Sequence, residues 1–161
     1  MIKGIFAGSF DPISNGHIDI ILRSLSFLDK LIVLIGINPN KNTTFPLNKR
    51  KSFISESLFE RTSRYSDVEV DSYDGLVVNY AKEHGASLLI RGVRNSSDFE
   101  YESNLAAGNK ILAPEIETIY IPCNPQLSVV SSSMIKEINK WKGDVSNLVP
   151  QRVNQALIEL R

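Results

Sequence analysis

Leu31-Ile32-Val33-Leu34-Ile35 runs five residues without a polar break, and it limits the possible folds of this chain more than any other segment. A strand points successive side chains to opposite faces, so a strand with one wet face alternates apolar and polar residues. A run that is apolar at every position and rich in β-branched residues belongs to a strand covered on both sides. Further strand-like runs occur at Ile2 to Ala7, Val68 to Val70, Ser87 to Ile90 and Ile116 to Ile121.

Helical patterns separate these runs. Ile18, Ile21, Leu22, Leu25 and Leu28 recur at helical spacing; further helices are expected over Leu47 to Arg64, Leu76 to Glu83 (ended by Gly85), Asp98 to Leu112 (ended before Pro114) and Ser131 to Trp141. Val153, Leu157 and Leu160 mark a last amphipathic helix. Alternating β and α elements with apolar strands imply a parallel sheet with helices on both faces. The expected fold is α/β, a Rossmann-like doubly wound five-stranded sheet in the order 3-2-1-4-5. No internal repeat or low-complexity linker interrupts the pattern, so a single domain over residues 1–161 is expected.

Ligands of such a sheet bind beyond the carboxyl ends of its strands. The unusual polar residues fall there: Ser9 after the first strand, Lys41 after the second, Asp74 after the third, Arg91 and Arg94 after the fourth, and Asn124 to Ser133 after the fifth. Basic and acidic side chains balance at 18 each, so no global field draws the chain to nucleic acid or an anionic membrane. A phosphate site here needs locally clustered cations. Cys123 is the only cysteine, which excludes an internal disulfide and a multi-cysteine metal site. The N-terminus has no signal-like segment, and there is no run of about 18 apolar residues. The expectation is a soluble, cytoplasmic protein.

The chemistry concentrates in Gly8-Ser9-Phe10-Asp11-Pro12-Ile13-Ser14-Asn15-Gly16-His17, between the first strand and the first helix. A glycine-punctuated turn lets a phosphate approach the backbone, and the helix start offers it unpaired N–H groups. Ser9 and Ser14 add hydroxyls and His17 an imidazole. It is neither a Walker loop, since no G-K-[ST] follows, nor a G-x-G-x-x-G fingerprint.

Three further groups join it. In Arg91-Gly92-Val93-Arg94, two guanidinium forks flank a glycine that admits a phosphate to the backbone. Asp98-Phe99-Glu100-Tyr101-Glu102 opens a helix; its acids complement the helix dipole, and Glu102 is a candidate acceptor for a ribose or adenine group. Ser131-Ser132-Ser133 supplies an N-cap and further donors for triphosphate oxygens. His84, before Gly85 at a helix end, is read as structural, and Phe53, Phe59, Tyr80 and Trp141 as core or interface residues.

Ser14-x-Gly16-His17 resembles the [HT]-x-G-H signature of the nucleotidyltransferase superfamily, and Gly8 to Pro12 its G-[ST]-F-D-P opening. Together with Asn38-Pro39-Asn40-Lys41, Ile90 to Arg94, Asp98 to Glu102 and Val130 to Glu137, the chain resembles the bacterial phosphopantetheine adenylyltransferases over nearly its full length. That resemblance implies transfer of AMP from ATP to 4′-phosphopantetheine, giving dephospho-coenzyme A and pyrophosphate, with Mg²⁺ carried mainly on the ATP phosphates. It further implies a homohexamer with feedback by coenzyme A.

By position, the resemblance assigns His17, Lys41 and Arg91 to catalysis. Ser9, Phe10, His17, Gly92, Val93, Arg94 and Glu102 would contact ATP, as would Leu127, Ser128, Val129 and Val130 with Ser131, Ser132 and Ser133. Ser9, Lys41, Val77 and Arg91 would contact the acceptor. Leu127 stands where the family commonly has an aromatic residue, and Ser14 where it has threonine. Two other readings stay open: a related transferase acting on nicotinamide mononucleotide or a polyol phosphate, and a non-catalytic nucleotide-sensing domain.

Overall fold

The computed structural model describes residues 1–161. Five strands, β1 (Lys3–Gly8), β2 (Lys30–Gly36), β3 (Val68–Tyr73), β4 (Leu88–Val93) and β5 (Glu117–Pro122), form one sheet. Its order is β3-β2-β1-β4-β5 and every pairing is parallel. Six helices connect or flank them: α1 (Asn15–Ser24), α2 (Leu47–Arg61), α3 (Val77–Glu83), α4 (Ser96–Leu112), α5 (Ser132–Lys140) and α6 (Gln151–Glu159). This is the doubly wound fold that the alternation predicts.

The unbroken apolar run of β2 serves two cores. Leu31, Val33 and Ile35 join one cluster with residues of α1, α2, α5 and α6. Ile32 and Leu34 join the other, with Val78, Tyr80 and Ala81 of α3. Each of the buried Leu, Ile and Val side chains among them contributes roughly 1.5–3 kcal/mol on leaving water. A one-residue slip of register would exchange the two sets between unlike cores, so the pairing is firmly specified.

The element ends depart from the sequence expectation where tertiary pairing overrides the local pattern. β3 extends to Tyr73 because Asp71, Ser72 and Tyr73 pair with Leu34, Ile35 and Gly36. β4 extends past its apolar run to Val93 because Arg91, Gly92 and Val93 pair with Tyr120, Ile121 and Pro122. Arg91 is therefore inside a strand, not after it. α2 ends at Arg61 rather than Arg64 because the Thr62 backbone turns extended, with φ −150° and ψ 139°; Arg64, beyond it, donates its guanidinium to the carbonyls of Leu25 and Leu28. α4 begins at Ser96, two residues before the expected Asp98, because the Asn95 side chain accepts from the Asp98 N–H and caps the helix.

Phe53 and Tyr80 are core residues, whereas Phe59 and Trp141 are exposed. His84 has the structural role expected: its ring stacks on Tyr80, with centroids 3.8 Å apart. No helix is long and apolar enough to cross a membrane.

Candidate active site

At the carboxyl ends of β1 and β4 lies a cavity of about 280 Å³. The β1–α1 turn forms one wall. Phe10 turns the chain there with φ 43°, a left-handed conformation that non-glycine residues seldom adopt. Its buried ring, packed edge-on against Phe6 and His17 with centroids 5.4 and 5.1 Å away, holds that conformation. Ser14 then caps α1. Its Oγ accepts from the His17 N–H at 3.3 Å, and its own N–H donates to His17 Nδ1 at 3.1 Å. This is a capping box with histidine in the place usually held by glutamate or glutamine.

The box fixes the chemistry of His17. Because Nδ1 accepts the Ser14 N–H, the proton of the neutral ring sits on Nε2. Burial, and secondly the positive charge of Arg94, push the His17 pKa down from 6.5 to about 4. At neutral pH the ring is an uncharged hydrogen-bond donor with a fixed tautomer.

The opposite wall comes from β4 and α4. Arg91 donates to Glu102 through Nε and Nη2, both at 2.6 Å, and through Nη1 to the Ala7 carbonyl at 2.9 Å. The paired fork that the sequence suggested for a phosphate is thus engaged with Glu102, each of whose carboxylate oxygens accepts one Arg91 N–H. Arg94 pairs with Asp98, Nε to Oδ2 at 2.7 Å. That bond holds the Asp98 carboxyl below its usual range and the Arg94 guanidinium above its own. Cys123 also lines the cavity, and burial raises its thiol pKa.

Ser9, Phe10, His17, Arg91, Gly92, Arg94, Glu102, Val130, Ser131 and Ser132 all line this cavity. The remaining expected residues do not. Val77 lines an adjoining, mainly apolar cavity of about 140 Å³, with Arg91 and Glu102 forming part of both. Lys41 is exposed in the β2–α2 loop. Val93 ends β4. Leu127 packs, half-buried, against the larger core; Ser128 Oγ donates to the Pro125 carbonyl, and Val129 and Ser133 face solvent. The serine cluster is also less free than its sequence suggests. Ser131 caps α5 by accepting from the Met134 N–H, and Ser132 Oγ donates to the Pro12 carbonyl at 2.8 Å.

Sequence reasoning assigned no work to Asp11. Its buried carboxylate accepts from the Thr44 and Phe45 N–H groups at 2.7 and 2.8 Å, with Lys136 Nζ 3.8 Å away. Asp11 thereby ties the β1–α1 turn to the end of the loop carrying Lys41. A carboxylate set between Phe10 and Pro12-Ile13 was the available signal.

Comparison with known proteins gives the chain a family. The cytidylyltransferase-like family model matches residues 5–138. A phosphopantetheine adenylyltransferase of Alkaliphilus metalliredigens is 49% identical over 157 residues, covering 98% of each chain. The chain belongs to the phosphopantetheine adenylyltransferase family. Another phosphopantetheine adenylyltransferase, from Shouchella clausii, is 44% identical over 99% of this chain and 98% of its own. Among solved structures, a bifunctional NMN adenylyltransferase/ADP ribose pyrophosphatase of Francisella tularensis superposes with a TM-score of 0.71 at 15% identity. That match covers 99% of this chain, which spans 48% of the bifunctional one. The Plasmodium falciparum nicotinic acid mononucleotide adenylyltransferase gives 0.67 at 16% identity, covering 98% and 95% of the two chains. At such identities these structures speak for the fold alone.

Proposed function

We infer that this protein transfers the adenylyl group of ATP to 4′-phosphopantetheine, releasing pyrophosphate and forming dephospho-coenzyme A, the penultimate step of coenzyme A synthesis. The observation that carries this reading is 44–49% identity with phosphopantetheine adenylyltransferases over nearly the full length, in a chain whose polar cavity joins a mainly apolar one. The polar cavity suits a triphosphate. The apolar one, walled in part by Val77, suits the pantetheine arm.

The acceptor needs no general base. Its phosphate monoester is near its dianion at neutral pH, because the second pKa is about 6. Catalysis then rests on alignment for in-line attack and on stabilising charge at the α-phosphate. His17 Nε2–H, held by the capping box, would be the donor to that charge. Arg91 and Lys41 would hold the acceptor phosphate, and Arg94 with the N-terminal N–H groups of α5 the nucleotide phosphates.

Mg²⁺ would enter on the ATP phosphates, keep several waters, and offset phosphate charge. The cavity fits that mode: its carboxylates Asp98 and Glu102 are engaged by Arg94 and Arg91, and no side-chain cluster suits a dedicated metal site. We further propose a cytoplasmic homohexamer. α4 supports the assembly, since it lies against β4 yet buries none of its residues and leaves Phe99, Leu105 and Ile111 exposed.

The test is the reaction itself, run both ways. Exchange of one phosphoric anhydride for another is near-balanced, so dephospho-coenzyme A, pyrophosphate and Mg²⁺ should yield ATP, and chelation should stop it. Pantetheine lacking its phosphate should fail as acceptor, as should nicotinamide mononucleotide. ATP formation from NAD but not from dephospho-coenzyme A would overturn the substrate assignment.

A further inference from the structure

Arg50, on α2, is a charged side chain only 6% exposed that takes part in no ion pair. Its Nε is buried without a hydrogen-bond partner, and its Nη1 donates to the Ser9 carbonyl at 2.8 Å. A buried guanidinium with neither counter-charge nor full hydrogen bonding is costly, and such a group calls for a reason.

The reason lies in the peptide that Arg50 grips. In a trans peptide the carbonyl and N–H point to opposite sides, and the Ser9–Phe10 bond is trans. With its carbonyl drawn toward α2, the peptide presents the Phe10 N–H on the other side. Ser9 and Phe10 line the cavity and Arg50 does not, so that other side is the cavity. The Phe10 N–H has no partner within the protein. A cation at the carbonyl also polarises the peptide and strengthens its N–H as a donor.

We propose that Arg50 is a positioning residue for phosphate binding: from beneath the β1–α1 turn it holds the Ser9 carbonyl, so that the Phe10 N–H stands as a fixed, polarised donor to a nucleotide phosphate. This rests on the reading of the cavity as a triphosphate site. Arg50 touches no ligand itself; it acts through one peptide group and through the field of its charge.

The experiment compares ATP with adenosine, which fills the same site without phosphates. Calorimetric titration of Arg50→Met should show ATP affinity lower by about tenfold or more, the scale of a charge-assisted hydrogen bond. Adenosine affinity should stay within about twofold on the same grounds, and Arg50→Lys should fall between parent and Arg50→Met for ATP. ATP affinity equal to the parent's in a folded Arg50→Met protein overturns the proposal, as does an equal loss for both ligands. A second measurement does not depend on that variant folding. In the parent, the Phe10 amide proton resonance should move downfield on addition of MgATP and not on addition of adenosine, and the movement should shrink in Arg50→Lys. A parent that binds ATP with an unresponsive Phe10 amide sinks the role of Arg50 alone; a parent that binds no ATP sinks the nucleotide reading and this inference with it.

Discussion

Replacing His17 by glutamine should remove one specific component of the protein's acid sensitivity while leaving its helix cap in place. In the folded chain the His17 pKa is about 4, against 6.5 for a free side chain. The unfolded state therefore binds the proton more readily than the folded one, and stability falls as pH falls through that window. The contribution is fully present above about pH 6.5 and is lost progressively as pH falls, the loss reaching about 3 kcal/mol at about pH 4. Glutamine at this position completes a Ser-x-x-Gln capping box, its amide oxygen accepting the Ser14 N–H as Nδ1 does now. Any offset from repacking is independent of pH. The carboxylates held low by their partners, Asp98 among them, titrate alike in both proteins and cancel. Urea unfolding of parent and His17→Gln at intervals from pH 7.5 to 4 gives the difference directly. The parent should lose about 3 kcal/mol more than the variant across the range. Parallel curves would refute the depressed His17 pKa and, with it, the imidazole held neutral in the folded chain.

His17→Ala should lower turnover about a hundredfold or more, the cost of one preorganised donor, with ATP binding little changed; turnover within a few-fold of the parent removes His17 from the mechanism. Lys41→Ala and Arg91→Ala should raise the Michaelis constant for the acceptor more than that for ATP, and Arg91→Lys should not fully restore it, because a point charge cannot span Glu102 and a phosphate together. The reverse pattern of Michaelis constants would exchange the two phosphate subsites. Ile111→Glu on α4 should shift sedimentation toward smaller species if that helix packs against other copies; an unchanged assembly places the contact elsewhere.

The strands were legible because burial on both faces leaves a continuous apolar signature, as in Leu31 to Ile35. The edge of that signature misleads where hydrogen bonding outlasts it: Arg91 lies within β4 because its backbone pairs with Tyr120, which its side chain does not reveal. The start of α4 precedes the expected Asp98 for a related reason. A helix that buries none of its residues has no apolar stripe to date its first turn from, and the Asn95 cap was the sole marker. In the candidate site the residue types and their strand-end positions were legible, but their partners were not. Asp11 meets Phe45, Arg50 meets Ser9 and Ser132 meets Pro12, contacts that join distant segments only after folding.

Those partnerships change what the arginines can do. A guanidinium carries five N–H donors. Arg91 spends three of them on Glu102 and Ala7, and Arg94 spends two on Asp98 through its side chain. A phosphate need not break either pair to bind, because donors remain on both forks. The pairs restrict each fork to one orientation before any ligand arrives, which lowers the ordering cost of binding and of reaching the transition state. They also keep the cavity from holding two uncompensated cations, in keeping with a chain whose charges balance overall. An anion arriving there meets aimed donors rather than a general positive field. On this argument selectivity for the phosphate-bearing acceptor comes from the direction of the remaining N–H groups, and removing Glu102 would loosen Arg91 even though it adds net positive charge.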